Sequence, residues 1–380
     1  MSSSPNGAEE HDADVSGLLA AFKDGKNSRV PVWFASDEHL WLTAAKRSFR
    51  EFYLNPRVQL DVQLLGQKWM LDNVTHDRAS GYPDIWRVSP RDWMHENAFF
   101  GAGITYQEND YAWGNPVELD KGELLRSIEE MDAGERVRAS LLWRLYVAMK
   151  EVAAGMRFEG RPVEVTTPGQ GTDGILTKTC EVRGSERFCM DICDDPDYAR
   201  RLLGAVTRQT IARIKFWLAQ DGIAESALPR ASGFFFCDDS LQMISRDVYE
   251  AFVLPCHEAL CSALTTGKRA IHLCGHATQH YRSLYDKAGI THIDGPGVFA
   301  DHGRYMAEMP GLSFAAQMHS TCLNTGTDAE IGEMLKGLMT DGAKRAGRFE
   351  VVGFINGETP IEKIRTAYQM GREYGPIGAW

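Results

Sequence analysis

The 380-residue chain has no Cys-x-x-Cys pair among its eight cysteines, which removes thioredoxin-like redox chemistry and zinc-ribbon modules from consideration. It has no Lys/Arg run, and 52 acidic residues outweigh 41 basic ones for a formal charge of −11. Nucleic acid and anionic membrane surfaces are therefore not expected as partners. No apolar run approaches the ~18 residues of a membrane-spanning helix. The opening MSSSPNGAEEHDADV lacks an apolar h-region, so residues 1–15 are expected to be a disordered tail rather than a signal peptide. Cysteines scattered through a chain of this kind point to reduced thiols and a cytoplasmic setting.

What is present is a large globular composition, 43% hydrophobic and 24% charged, with length enough for an extensive core. One arrangement recurs: a short apolar run stops at residues able to do chemistry, and a helical pattern follows. RVPVWFASDEH ends in Ser36, Asp37 and His39, KWMLDN in Asp72, and PVEVTTPGQGT in a Gly-rich turn. SGFFFCDDS ends in Asp238 and Asp239, with Ser245 placed to cap the next helix. RAIHLCGH supplies His272 and Cys274, THIDGPG Asp294, LSFAAQMHSTC Gln317 and His319, and FEVVGFINGETP Asn356 and Glu358.

Such alternation indicates parallel βαβ units. About eight of them, with no dinucleotide Gly fingerprint after the first, favour an α/β fold that is a single (β/α)₈ TIM barrel over residues 16–380. Its polar strand ends would meet at the C-terminal mouth. The stretch from about 78 to 135 breaks the rhythm and is rich in aromatics, Gly and Pro. It reads as an insertion over that mouth, in which Trp86, Trp93, Phe99, Phe100, Tyr106, Tyr111 and Trp113 either wall a flat apolar ligand or form a local hydrophobic cluster.

RVPVWF, FYLNPRVQLDVQLL, ISRDVYEAFVLPCHEAL, HLCGH and GETPIEKIRTAYQMGREYG, in this order, resemble the uroporphyrinogen decarboxylase superfamily, which includes zinc- and corrinoid-linked methyltransferases. The resemblance runs from about residue 28 to 376 and implies the barrel. True decarboxylases follow the PVWF strand with two arginines that grip a polycarboxylate, whereas this chain reads ASDEHLW. Acidic residues there would repel that substrate, so the resemblance is closer to the methyltransferase, or demethylase, branch. That branch implies zinc on His272 and Cys274 with a later cysteine, but here VVGFINGETP places Gly353 near the expected position. His276, His319 and Cys322 are the candidates to complete a rearranged set.

Together these readings point to a methyltransferase that takes a methyl group from a small methoxylated aromatic donor and passes it to tetrahydrofolate or to a corrinoid protein. His272, Asp239 and His39 are the candidate catalytic residues. Trp33, Asp37, Tyr106, Trp113, His319 and Asn356 are candidates for substrate contact, and Asp239, Gln242 and Arg246 for the cofactor. Without zinc, His272 would act as the proton donor. His280 is expected on a helix surface. The sequence shows no corrinoid-binding domain, so a corrinoid would arrive on a partner protein, and related barrels suggest a homodimer. The alternatives are a decarboxylase of a small organic acid and a non-catalytic ligand-binding barrel.

Overall fold

Eight runs of apolar and β-branched residues form parallel strands in chain order: β1 Val32–Ser36, β2 Trp86–Val88, β3 Arg161–Val165, β4 Phe234–Cys237, β5 Arg269–His272, β6 Ile290–Asp294, β7 Ser313–Gln317 and β8 Phe349–Ile355. The computed structural model describes residues 5–78, 81–345 and 347–378. The chain divides into two compact units, one of Met1–Lys46, Val62–Asp84 and Thr291–Trp380, the other of Arg47–Asp61 and Ile85–Ile290. In the first unit β6 pairs with β7, β7 with β8 and β8 with β1. In the second, β2 pairs with β3 and β4 with β5. All five pairings are parallel, and helices follow the strands, as an α/β architecture requires. Among the described residues the strand pairing does not complete a closed ring.

The strand sequences explain their two faces, because successive side chains alternate. In the first unit Val32, Phe34, Ile293, Phe314, Ala316, Phe349 and Val351 are all buried. Helices cover this side: a Cβ at Gly371 of helix Ile361–Tyr374 would lie 2.9 Å from Val32. The ring of His302, in helix His302–Glu308, packs edge-on to Phe314 at 5.0 Å. Trp33, His292, Asp294, Ser313, Gln317 and Glu350 alternate with that set and are only half-buried.

Two sequence expectations change. KWMLDN is not a strand but the end of helix Pro56–Asn73. Asn55 caps it by accepting from the N–H groups of Arg57 and Val58, and Lys68 pairs with Asp72 one turn on at 2.6 Å. The helical period from Val58 onward outweighs the short apolar run on its own. The second parallel strand is instead Trp86–Val88, inside the segment expected to be an insertion. The expected tail also differs: residues 1–4 lie outside the described residues, but Pro5–Lys23 is a helix. Val15 and Leu18, three apart, bury its inner side, and the Asp14 carboxylate reaches Arg29 at 3.2 Å and Arg372 at 3.3 Å.

The aromatic segment is mostly core. Trp86 is fully buried, and Phe99 and Phe100 are nearly so and meet edge-on at 5.0 Å. Trp93 and Trp113 remain exposed. Tyr106 donates to the buried Asp92 at 2.9 Å and lies 5.7 Å from the Tyr53 ring. The local-cluster reading therefore describes most of these rings.

No helix in the described residues is long and apolar enough to cross a membrane. Within the first unit the fully buried Asp77 ties the start of β1 to the last helix. Its carboxylate accepts from Arg29 at 2.8 Å, from the Val32 N–H at 2.7 Å and from the Tyr368 hydroxyl at 2.8 Å. Replacing one member of a buried ion pair strands the other, at a cost of about 3–5 kcal/mol. Asp77→Asn should lower unfolding free energy by about 3 kcal/mol in urea titrations; a loss under about 1 kcal/mol would show that Arg29 finds other support.

Candidate metal and acid–base site

β4 and β5 run in register, Phe234 opposite Arg269 and Cys237 opposite His272. Phe236 and Ile271 are fully buried. By alternation Phe235, Ala270, Cys237 and His272 share the other face, where Phe235 is 45% exposed. Beyond Cys237 the N–H of Asp238 donates to the His272 carbonyl at 3.1 Å, which joins the ends of the two strands.

The Asp238 side chain has no exposed surface and is fully engaged. It accepts from the N–H groups of Leu176 and Thr177 at 3.1 and 2.9 Å and from the Thr177 hydroxyl at 2.9 Å. This satisfies the first turn of helix Ile175–Arg183. His257 lies 2.9 Å away through Nε2, and the Tyr249 hydroxyl lies 3.3 Å from its Nδ1. A neutral His257 that donates from Nε2 to Asp238 and accepts from Tyr249 satisfies all three groups. The helix approaches closely because Gly174 has φ +108°, and a Cβ there would fall 2.3 Å from the Cys237 carbonyl oxygen.

Asp239 follows directly, at the start of the 3₁₀ turn Asp239–Met243. Its Oδ1 accepts from the Cys274 N–H at 2.8 Å and lies 3.9 Å from His272 Nε2. His272 Nε2 is in turn 3.2 Å from Cys274 Sγ. Among the described residues, Asp239, His272 and Cys274 form one group whose nitrogen, sulfur and oxygen donors all lie within 4.8 Å of each other. Tetrahedral zinc with bonds of about 2.0–2.3 Å separates its ligand atoms by roughly 3.5 Å, so the three donors fit that ion. Gly275 completes the turn with φ +64°, and a Cβ there would lie 2.2 Å from Gln242 Oε1.

The sequence placed His272, Cys274 and Asp239 in the site, and the fold brings these three together. Asp239 is the third member of this candidate donor group, a role not foreseen from the sequence. Gly353 lies in β8, where a Cβ would fall 2.4 Å from the Phe34 ring and 3.3 Å from Met318 Sδ, so that position has no room for a cysteine side chain.

The other candidates divide by location. His276 is exposed and outside the donor group, as are Gln242 and Arg246, and Ser245 caps the helix as expected by accepting from the Val248 N–H at 3.3 Å. His280 is not on a surface: it is fully buried, and its Nε2 bonds the Leu241 carbonyl at 2.8 Å. Burial lowers its pKa from the ordinary histidine value. In the first unit Asp37 caps helix Glu38–Ala45 through the Leu40 N–H. His39 Nδ1 accepts from the Gly357 N–H at 3.3 Å, and Asn356 Oδ1 accepts from the Glu358 N–H at 2.9 Å. His319 precedes helix Ser320–Thr325. Trp33 donates from Nε1 to Glu350 at 2.9 Å. Sequence reading passed over Glu350, although an acid inside the apolar run FEVVGFI was a visible signal.

No protein-family model matches the chain, and no curated protein matches it. Among solved structures, a methyltransferase from Methanosarcina mazei is similar at TM-score 0.61 with 14% identity, over 95% of this chain and 98% of that one. A B12-independent methionine synthase from a Shewanella species matches over 72% of this chain and 75% of its own at TM-score 0.34 and 12% identity. The first similarity shows a shared fold.

The crowding at Gly353 gives a direct check. Overpacking a core typically costs about 1–3 kcal/mol, so Gly353→Cys should lower the urea midpoint correspondingly and leave zinc affinity unchanged. A stably folded variant that binds zinc more tightly would show that a cysteine at 353 reaches the metal.

Proposed function

We propose that the protein is a methyltransferase of the uroporphyrinogen decarboxylase superfamily, an O-demethylase of small methoxylated aromatic compounds. The observation that carries this reading is the Asp239, His272 and Cys274 group at the ends of two adjacent parallel strands. Eight parallel strands in chain order support a (β/α)₈ barrel, and the fold shared with a methyltransferase is in keeping with it.

An aryl methyl ether is a poor electrophile because its oxygen leaves as a charged phenoxide. The site must neutralise that charge as the methyl–oxygen bond breaks. In the metal-free site His272 would give the leaving oxygen a proton while the bond's electron pair stays on oxygen. The Asp239 carboxylate lies 3.9 Å from the imidazole. Phe235, exposed on the same strand face, offers an apolar surface for the donor ring. In the alternative zinc-bound form, Asp239, His272 and Cys274 would hold the metal, which would supply Lewis-acid stabilisation of the developing negative charge in place of a proton from His272.

The acceptor in this reading is tetrahydrofolate, whose ring nitrogen attacks the methyl carbon and then releases a proton. A single thiolate in the donor set argues against a site built to activate a thiol for a corrinoid protein. The reading carries a cytoplasmic setting, with no nucleic-acid or membrane partner.

Methyl transfer from a panel of methoxybenzoates, assayed with tetrahydrofolate alone and with a corrinoid protein alone, tests it. Product is expected with tetrahydrofolate alone. His272→Ala should reduce turnover by about 10²–10⁴-fold with little change in melting temperature. Product only with the corrinoid protein would overturn the folate assignment, and near-normal turnover in His272→Ala would remove His272 from the chemistry.

A further inference from the structure

The half-buried face of β6, β7, β8 and β1 has a composition that folding alone does not explain. The opposite face of the same strands is apolar and closed. This one presents His292 and Asp294 on β6, Ser313 and Gln317 on β7, Glu350 on β8 and Trp33 on β1. Asp294 and Glu350 both lie level with Ala315, which separates them by one strand on each side. Ser313 donates to the Thr291 carbonyl at 3.0 Å, so its oxygen is left to accept from His292 Nδ1 at 2.9 Å. Ala315 and Val352 give the face a small apolar floor.

A cation stands over this acidic row. The Arg78 guanidinium stacks 4.2 Å above the Trp33 ring and lies 3.6 Å from Glu350 Oε2, the same oxygen that accepts from Trp33 Nε1. The Glu350 side chain is only 13% exposed, whereas that of Arg78 is 41% exposed. The ion pair therefore has a largely covered acid and a cation open on its outer side. Stacking on the indole holds the planar guanidinium in one orientation, which favours two-point recognition of a carboxylate.

We propose that this face of the first unit is a binding site for a small organic acid with an apolar body. The ligand's carboxylate takes Arg78 from Glu350, and Glu350 accepts a proton from solvent as it loses the cation. Burial, and then the neighbouring Asp294, already push the Glu350 carboxyl above its ordinary range, with Arg78 and the Trp33 hydrogen bond pulling the other way. Weakening the Arg78 contact removes the larger of those two opposing effects. The groups that face Glu350 are Arg78 and Trp33 from one side and Asp294 from the next strand but one, with His292 further along that strand. Binding is thus coupled to proton uptake, and affinity rises as pH falls. This site stands on the first unit alone and does not depend on the methyl-transfer reading.

Calorimetric titration of the full-length protein with benzoate, in buffers of different ionisation heat between pH 6 and 8, tests the proposal. Benzamide, which has the same ring without the charge, is the control. Benzoate should bind with uptake of up to one proton, and benzamide at least tenfold more weakly. Arg78→Gln should lose benzoate affinity by tenfold or more. Glu350→Gln should still bind benzoate, with no proton uptake and a flat pH dependence. Matching circular dichroism spectra and melting temperatures establish that both variants are folded. The proposal is overturned if benzoate fails to bind wild type at millimolar concentration, if Arg78→Gln binds it normally, or if proton uptake persists in Glu350→Gln.

Discussion

A carboxylate with no exposed surface must be met by donors on every side, and Asp238 shows what that requirement can build. Its partners come from helix Ile175–Arg183 and from His257, and its own N–H reaches the carbonyl of His272. Removing any of these leaves a buried acceptor unsatisfied, so the helix start, the end of β4 and the end of β5 are fixed by one side chain. Asp239 is the next residue along. Its place beside His272 and Cys274 is a consequence of where Asp238 is held. Supporting groups of this kind orient metal ligands and acid–base residues as firmly as the ligands' own rotamers do.

The chemistry of the donor set follows from its composition. Imidazole, one cysteine sulfur and one carboxylate would together offset a divalent cation without excess negative charge. A site with two thiolates is softer and richer in electrons, which favours activation of a bound thiol. With an oxygen donor in place of a second sulfur, such a site would be harder, which suits the oxygen leaving group of the proposed reaction. The crowded backbone at Gly353, pressed against Phe34 and Met318, gives the structural reason why the second sulfur does not come from β8.

Much of this was legible in the chain. Seven of the eight runs expected as strands are strands, because their apolar and β-branched runs stop abruptly at polar residues. KWMLDN misled because a strand of apolar residues and the buried stripe of a helix look alike over six positions. Trp86–Val88 was hidden by its aromatic surroundings and its length of only three residues. His272 and Cys274 could be placed from their spacing of two on a strand. The pairing of Asp239 with them could not, since it depends on the register between β4 and β5. Neither could the division of labour between Asp238 and Asp239: adjacent identical residues differ in role because one turns into the protein and the other out of it. Glu350 and Arg78 escaped for the same reason, being 272 positions apart in sequence and joined only by the fold.

The proposed metal site requires Asp239, His272 and Cys274 to act as one donor set. X-ray absorption at the zinc K-edge of the metal-loaded protein tests this most directly, because sulfur and nitrogen or oxygen scatterers are resolved by distance. One sulfur at about 2.3 Å with the remaining ligands at about 2.0–2.2 Å is the expected first coordination sphere, and Cys274→Ser should erase the sulfur shell while Asp239→Ala leaves it. Two sulfur ligands, or a sulfur shell that survives Cys274→Ser, would contradict the account.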